Sequence, residues 1–480
     1  MRGLFGFIEA AALALFSWKF PWRNAGGTSI EPQDGQFVIG RALQFGAKAV
    51  PAGELVTVPS NSGEKHCSIN GASGFGKTTF IDRRVDDFIE AGVAVFDIDF
   101  RRDHSERLLR KLFQDGVSPD RITLVDLGRE DWISKLNFLG HGPGSIYARA
   151  TVMHTAIRSA AESFGVRLSA DLRACLTAIA ESKGSLLDVS AILSPDPEHR
   201  RKLMATIKDD YALEFLHSFD TLSVSAQRVR ADAVLNKIDA YYAIPQLRHC
   251  FGVGSALNIA ECLDSPGHIT IVSLNAERFP APELVGRLLI GTVMRAALSR
   301  TDIPENRRNP VRLIVDEMQN LAVPECAVIL AEGRKYGCGI VLSTQFSSRI
   351  DSLLQASMRV NCSLRIQFNS DHQEAHSFAA EVISGLSRED TTRKILELPV
   401  GSALVLRRGE KPALVQMENS EKPVVDEAAF EEFREACLAR TCIRRADAEA
   451  EVRSSSKQQQ HLLGEVRSER TPIHRKAKQV

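Results

Sequence analysis

The octapeptide Gly71-Ala72-Ser73-Gly74-Phe75-Gly76-Lys77-Thr78 leaves this chain few folds to choose from. It matches GxxxxGK[ST]; a short apolar run at 67–70 precedes it and a helix-periodic stretch from Thr79 follows. Strand, tight loop and helix therefore succeed one another. The glycines let the backbone curl so that successive N–H groups point inward at phosphate oxygens, and the helix N-terminus adds a favourable potential for anions. In this reading Gly71, Ala72, Ser73, Gly74, Phe75, Gly76, Lys77, Thr78 and Thr79 cradle ATP. Lys77 bridges the β- and γ-phosphates, and the Thr78 hydroxyl ligates Mg²⁺. An ordinary glycine-rich turn is the bland alternative, disfavoured by the Lys-Thr pair and the strand–helix context.

The surroundings support that placement. Short apolar runs at 67–70, 92–98, 122–126, 269–274, 311–316, 338–342, 363–367 and 403–407 show little alternation. That is the pattern of strands buried on both faces of a parallel sheet. Helical periodicities lie between them, for instance at 79–91 and 283–299, so the fold class is α/β, a RecA-like parallel sheet. From about 146 to 255 the pattern is helical throughout, and we read an all-helical subdomain inserted into the sheet domain. The expected organisation is an amphipathic N-terminal segment (1–24), a first half of the nucleotide-binding domain (25–145), the helical insertion (146–255), a second half (256–430) and a charged, disordered tail (431–480).

Within the second half, Val311-Arg312-Leu313-Ile314-Val315-Asp316-Glu317 is a buried strand ending in paired acids. Downstream of a phosphate loop, Asp316 is placed to hold the Mg²⁺ shell and Glu317 to orient or deprotonate the attacking water. A hydrophobic run ending in Asp-Glu is common by itself; the phosphate loop upstream gives it meaning. Next comes Glu332-Gly333-Arg334-Lys335-Tyr336-Gly337, then a strand leading to Ser343-Thr344-Gln345. Gln345 at a strand tip is suited to sensing the γ-phosphate. Arg334 carries a guanidinium fork able to stabilise transition-state charge on a neighbouring subunit's nucleotide. Its plainer role is a helix C-terminal charge complementing the dipole.

Taken together, KHCSINGASGFGKTT, FDIDFRRD, LIVDEMQNL, AEGRKYGCGIVLSTQ and the following NCSLRIQF resemble the type IV coupling proteins (TraG/TraD-like) of the wider HerA/FtsK group of ring ATPases. The likeness covers about residues 36–415. It implies a hexameric ring that hydrolyses ATP and threads DNA through a central channel. It also implies an arginine finger at Arg334, a sensor at Gln345, and Asp99 as the counterpart of the acid on the second strand. The chain departs from the family in having no pair of transmembrane helices, and in placing Ser73 and Phe75 where Thr and a small residue are usual.

The remaining features bound the setting. Sixty Lys and Arg balance sixty Asp and Glu, which excludes a surface coated in positive charge but not a basic groove. Nine scattered cysteines without a CxxC pair favour neither zinc nor disulfides and point to the reducing cytoplasm. The apolar stretch at 10–18 is too short to span a bilayer. Phe5, Phe7, Trp18 and Phe20 beside Arg2 and Lys19 suit either an interfacial helix at the inner membrane or a helix packed on a partner. Residues 440–480 hold ten Lys and Arg against five Asp and Glu, so disorder or an exposed helix is expected. Three readings stand: a DNA motor, an ATP-dependent switch or scaffold in a secretion or defence complex, and a protein pump with the same engine.

Overall fold

The computed structural model describes residues 36–59, 66–161, 163–417 and 422–454. The expectations for residues 1–24 and for 455–480 lie outside the described residues. Among the described residues, no helix is long and apolar enough to cross a membrane.

The centre is an eleven-stranded sheet. Its strands are β1 (Gln36–Leu43), β2 (Leu55–Pro59), β3 (His66–Asn70), β4 (Ala94–Asp99), β5 (Ile122–Asp126), β7 (Ile269–Ser273), β8 (Val311–Val315), β9 (Cys338–Thr344), β10 (Leu364–Gln367), β11 (Ser402–Arg407) and β12 (Ala413–Met417). β6 (Trp132–Ser134) and β13 (Cys442–Arg444) pair separately. In space the large sheet runs β2-β1-β12-β11-β10-β3-β9-β8-β4-β7-β5. From β10 to β5 all pairings are parallel; from β2 to β10 they are antiparallel. The eight apolar runs of the sequence all become strands of this sheet.

Both faces of the parallel part are covered, which explains the missing alternation. On β8, Val311, Leu313 and Val315 join the core on one face, and Ile314 joins the core on the other. β4 divides likewise, with Phe96 and Ile98 on one side and Val95 on the other. The first face is packed by the helix Pro282–Leu298 and by the helical segment. Between Ile146 and Asp264 the described elements are helices, apart from a single bridge of Ala256 to Leu136, and the buried Leu172, Ile179, Leu216 and Ile238 share one continuous core with the sheet.

The opposite face carries the helices Lys77–Glu90 and Asp103–Gln114. In the first, Ile81, Val85 and Ile89 recur every fourth residue and are buried, as are Phe80 and Phe88. Truncating Ile81 to Ala there costs about 2–5 kcal/mol by lost burial and cavity formation.

The expectation of a disordered tail from residue 431 is overturned as far as 454. A helix spans Glu427–Thr441 and buries Phe430, Cys437 and Leu438. Phe430 and Phe433 meet Phe113 with ring centroids 5.7 and 5.2 Å apart. Arg129 holds Glu431 at 2.5 Å and Glu435 at 2.7 Å, and β13 then pairs with β6. The charges that made the segment look solvated are the ones that dock it, because their partners lie some 300 positions away in the chain.

Candidate functional site: the phosphate loop and its neighbours

The C-terminal ends of β3, β9, β8 and β4 converge on one spot, where ligands of open α/β sheets gather. The loop leaves β3 at Gly71 and is held from both sides. Its Gly71 N–H donates to the Thr344 carbonyl at the end of β9 (3.3 Å), and its Ala72 N–H to the Asn369 carbonyl just beyond β10 (2.7 Å). Gly401 N–H donates to the Phe75 carbonyl at 3.0 Å, closing the third side. Gly74 and Gly76 have φ of 83° and 113°, left-handed conformations that other L-residues resist. Gly76 has a second constraint: a Cβ there would lie 3.3 Å from the Phe368 ring. The Phe75 ring packs against the core on the phosphate-loop face, so this departure from the family pattern is absorbed by packing.

Lys77 opens the following helix and is buried. Its Nζ donates to the Gly71 carbonyl at 2.7 Å and to the Ala72 carbonyl at 3.0 Å, so the ammonium sits within the curl of its own loop. Burial lowers its pKa, opposed by the nearby carboxylates of Asp316 and Glu317. Thr78 and Thr79 follow on the first turn of the helix, both half-buried. Ser73 and Gly74 form the exposed rim.

Asp316 follows β8 directly, tied by its N–H to the Ile98 carbonyl at 3.1 Å. Burial, and then the Asp99 carboxylate, push its carboxyl up to about 6. A carboxylate left so costly to ionise is suited to a cation. Glu317 adopts φ 51° and ψ 44°, a left-handed backbone for a residue with a full side chain, and strain of that kind gathers at functional positions. Gln345 donates its side-chain amide to Glu317 Oε1, and Gln319 donates to Glu317 Oε2. Thr344 Oγ1 donates in turn to Gln319 Oε1 at 2.7 Å. The acid of one strand and the glutamine of the next are thus joined directly.

Arg334 is placed elsewhere. It is exposed in the turn Gly333–Tyr336, which enters β9 at its N-terminal end. The seven residues of β9 separate it from the phosphate loop of its own chain, about 20 Å at roughly 3.3 Å per residue.

Two features escaped the sequence reading. Arg101, just after β4, brings Nε within 3.8 Å of Glu317 Oε1, although nothing in an Arg-Arg pair announces it. Asp99 does not present a free carboxylate: Oδ1 accepts from Arg101 N–H (2.9 Å) and Oδ2 from Ser105 N–H (2.8 Å). Behind the loop, His104 is buried between two acids, with Nε2 2.8 Å from Asp97 Oδ2 and Nδ1 2.7 Å from Asp82 Oδ1. Burial works against its charge, but the Asp97 carboxylate, together with Asp82, holds its pKa well above the ordinary range. All nine cysteines are buried free thiols.

The donor set fits magnesium. Thr78 and Asp316 offer hard oxygen ligands, and Mg²⁺ at nucleotide sites takes one or two carboxylates with substrate phosphates and water. Among the described residues, no group of three or more His, Cys, Asp or Glu gathers as a metal cage.

No family model and no curated protein matches the sequence. Solved structures do match. Plasmid coupling protein TrwB in complex with the GTP analogue GDPNP superimposes with a TM-score of 0.56 at 16% identity, covering 84% of this chain and 98% of that one. TrwB in complex with ADP and Mg²⁺ gives 0.55 at 15% identity, covering 83% and 97%. VirB4 of Thermoanaerobacter pseudethanolicus gives 0.53 at 14%, covering 81% and 98%. The chain has the fold of the conjugative coupling protein TrwB and of VirB4, the α/β fold that the sequence resemblance implies.

Proposed function

We propose that the chain is an ATP-hydrolysing motor that moves nucleic acid and works as a ring, most simply a hexamer. The observation that carries the reading is the direct contact of Gln345 with Glu317 beside the glycine loop that holds Lys77. A water-activating acid gripped by a residue at the phosphate end of the neighbouring strand makes hydrolysis responsive to what occupies the loop. TrwB has been solved with nucleotides and, in one case, Mg²⁺, which supports ATP and Mg²⁺ as the ligands here.

In this mechanism the curled backbone at 71–76 and the helix N-terminus receive the phosphates. Lys77 exchanges its two loop carbonyls for phosphate oxygens, and lies at the base of the cradle to do so. Thr78 and Asp316 hold Mg²⁺, which when bound neutralises charge developing on the phosphates. Gln345 turns from Glu317 to the γ-phosphate oxygens, and Glu317 Oε1 is released to take a proton from water. Arg101 faces Glu317 across 3.8 Å and is placed to restrain the same carboxylate. Arg334, a strand's length from its own loop, serves the loop of an adjacent subunit.

The test is ATP turnover by the purified full chain with and without DNA, alongside Lys77→Ala. Turnover that DNA stimulates and Lys77→Ala abolishes is the expected result. Turnover indifferent to DNA would favour the switch or protein-pump alternatives, and undiminished turnover in Lys77→Ala would remove the site assignment.

A further inference from the structure

At the far ends of β10 and β11 from the phosphate loop lies a cleft of about 680 Å³. Among the described residues six cations line it, namely Lys48, Arg359, Arg365, Arg407, Arg408 and Lys411, against two acids. Those acids are already engaged: Arg365 pairs with Glu381, one contact at 3.1 Å, and Arg407 pairs with Glu410 at 2.7 Å. Arg408 donates to the Val360 carbonyl. Among the described residues, Lys48, Arg359, Arg408 and Lys411 make no ion pair.

Like charges gathered on a concave surface repel one another, and a fold that keeps them is stabilised by a polyanion. They arrive from the segment after β1, from the helix Ser352–Asn361, from the start of β10 and from the β11–β12 hairpin. A single short anion would not span four segments; a chain of regularly spaced charges does. Four of the six are arginines, whose planar fork matches the paired oxygens of a phosphate. The surface is concave, which suits a strand rather than a flat membrane. Among the described residues no aromatic ring lines it, so the contact these residues offer is to the backbone and indifferent to sequence.

The cleft is also tied to the phosphate loop. β10 begins beside the cations, with Arg365 as its second residue, and is followed by Asn369, whose carbonyl accepts the Ala72 N–H. β11 runs back from Gly401, whose N–H holds the Phe75 carbonyl, to Arg407 and Arg408. Two adjacent strands thus connect both sides of the phosphate loop to the cleft. We propose that this cleft grips the phosphodiester backbone of nucleic acid and that β10 and β11 couple the grip to the state of the phosphate loop. The inference rests on the motor reading above and supplies the contact surface that reading leaves unassigned.

The experiment uses the full chain, a fluorescent oligothymidylate and the triple variant Lys48→Glu/Arg359→Glu/Lys411→Glu, all three residues being exposed. Anisotropy is measured across a salt series, with inorganic tripolyphosphate and poly-glutamate as competitors, and ATP turnover is measured with and without the oligonucleotide. Losing three backbone contacts should weaken binding at least tenfold and flatten the slope of log K against log salt by about 2. Basal turnover should stay at the wild-type level while its stimulation by DNA disappears. The triple glutamine variant should shift the same quantities in the same direction by less, which guards against a folding defect in the charge reversal. An unchanged slope in the variant, with wild-type binding intact, overturns the cleft and leaves the motor reading standing. A wild-type chain that neither binds nor responds to nucleic acid overturns both. Displacement by tripolyphosphate or poly-glutamate at charge concentrations matching the oligonucleotide overturns the nucleic-acid assignment.

Discussion

Arg334 and Gln345 bracket β9, one before its first residue and the other after its last. The strand that delivers Gln345 to Glu317 therefore carries Arg334 to the opposite side of the sheet. Arg334 is thereby kept a strand's length from its own phosphate loop, the placement that the proposed action on an adjacent subunit requires.

Arg334→Ala should leave ATP affinity nearly intact and lower turnover by a factor on the order of 10³ or more. Mixing it with Lys77→Ala subunits should restore part of the activity. Some boundaries then pair an intact loop with an intact arginine. A mixed ring as inactive as either parent, with assembly confirmed by light scattering, would return Arg334 to a local charge at a helix end.

Lys77→Ala and Glu317→Gln should fail in different ways. Removing the cation from the cradle should cost binding as well as turnover, the latter by about 100-fold or more. Glu317→Gln should keep Mg·ATP bound and slow hydrolysis by about 10²–10⁴-fold, giving a stable ATP-loaded assembly. Retained nucleotide measured after gel filtration separates the two; wild-type turnover in Glu317→Gln would assign the base elsewhere.

Magnesium affinity should depend on the protonation of Asp316. Its carboxyl, pushed up to about 6 by burial and by Asp99, must be ionised to ligate the metal. Apparent Mg²⁺ affinity should therefore hold above neutral pH and fall by about tenfold per unit once pH drops well below 6. Calorimetric titration of Mg·ATP between pH 5 and 8 checks it, and Asp316→Asn should be weak and flat across that range.

His104→Ala should destabilise the fold by about 3–5 kcal/mol, because Asp97 is left buried without its cation. The raised imidazole pKa gives the sign of the pH effect. The contribution is full below the unfolded value of 6.5 and fades as pH rises through the higher folded value. Urea midpoints of both proteins across pH should converge on the alkaline side. A gap that widens with pH would contradict a charged imidazolium bridging helix Lys77–Glu90 to β4.

What the sequence determined was whatever a few consecutive residues suffice to specify. The glycines ahead of Lys77 and Thr78 suffice to announce a tight loop between a strand and a helix. The unalternated apolar run at 311–315 announces a strand covered on both faces before any neighbour is known. The same holds for the helical periodicity from 146 to 255. The packing of helix Glu427–Thr441 is not legible in its own stretch, because its charges are neutralised by residues such as Arg129 that lie hundreds of positions upstream. Sheet order decided the rest. Placing β3 between β10 and β9, with β11 beyond β10, brought Asn369, Thr344 and Gly401 around the loop. Setting β8 beside β9 joined Gln345 to Glu317, and setting it beside β4 brought Arg101 to the same acid. Those contacts depend on which strands lie side by side, which depends in turn on how the whole apolar surface is best buried. No local stretch of sequence holds that information.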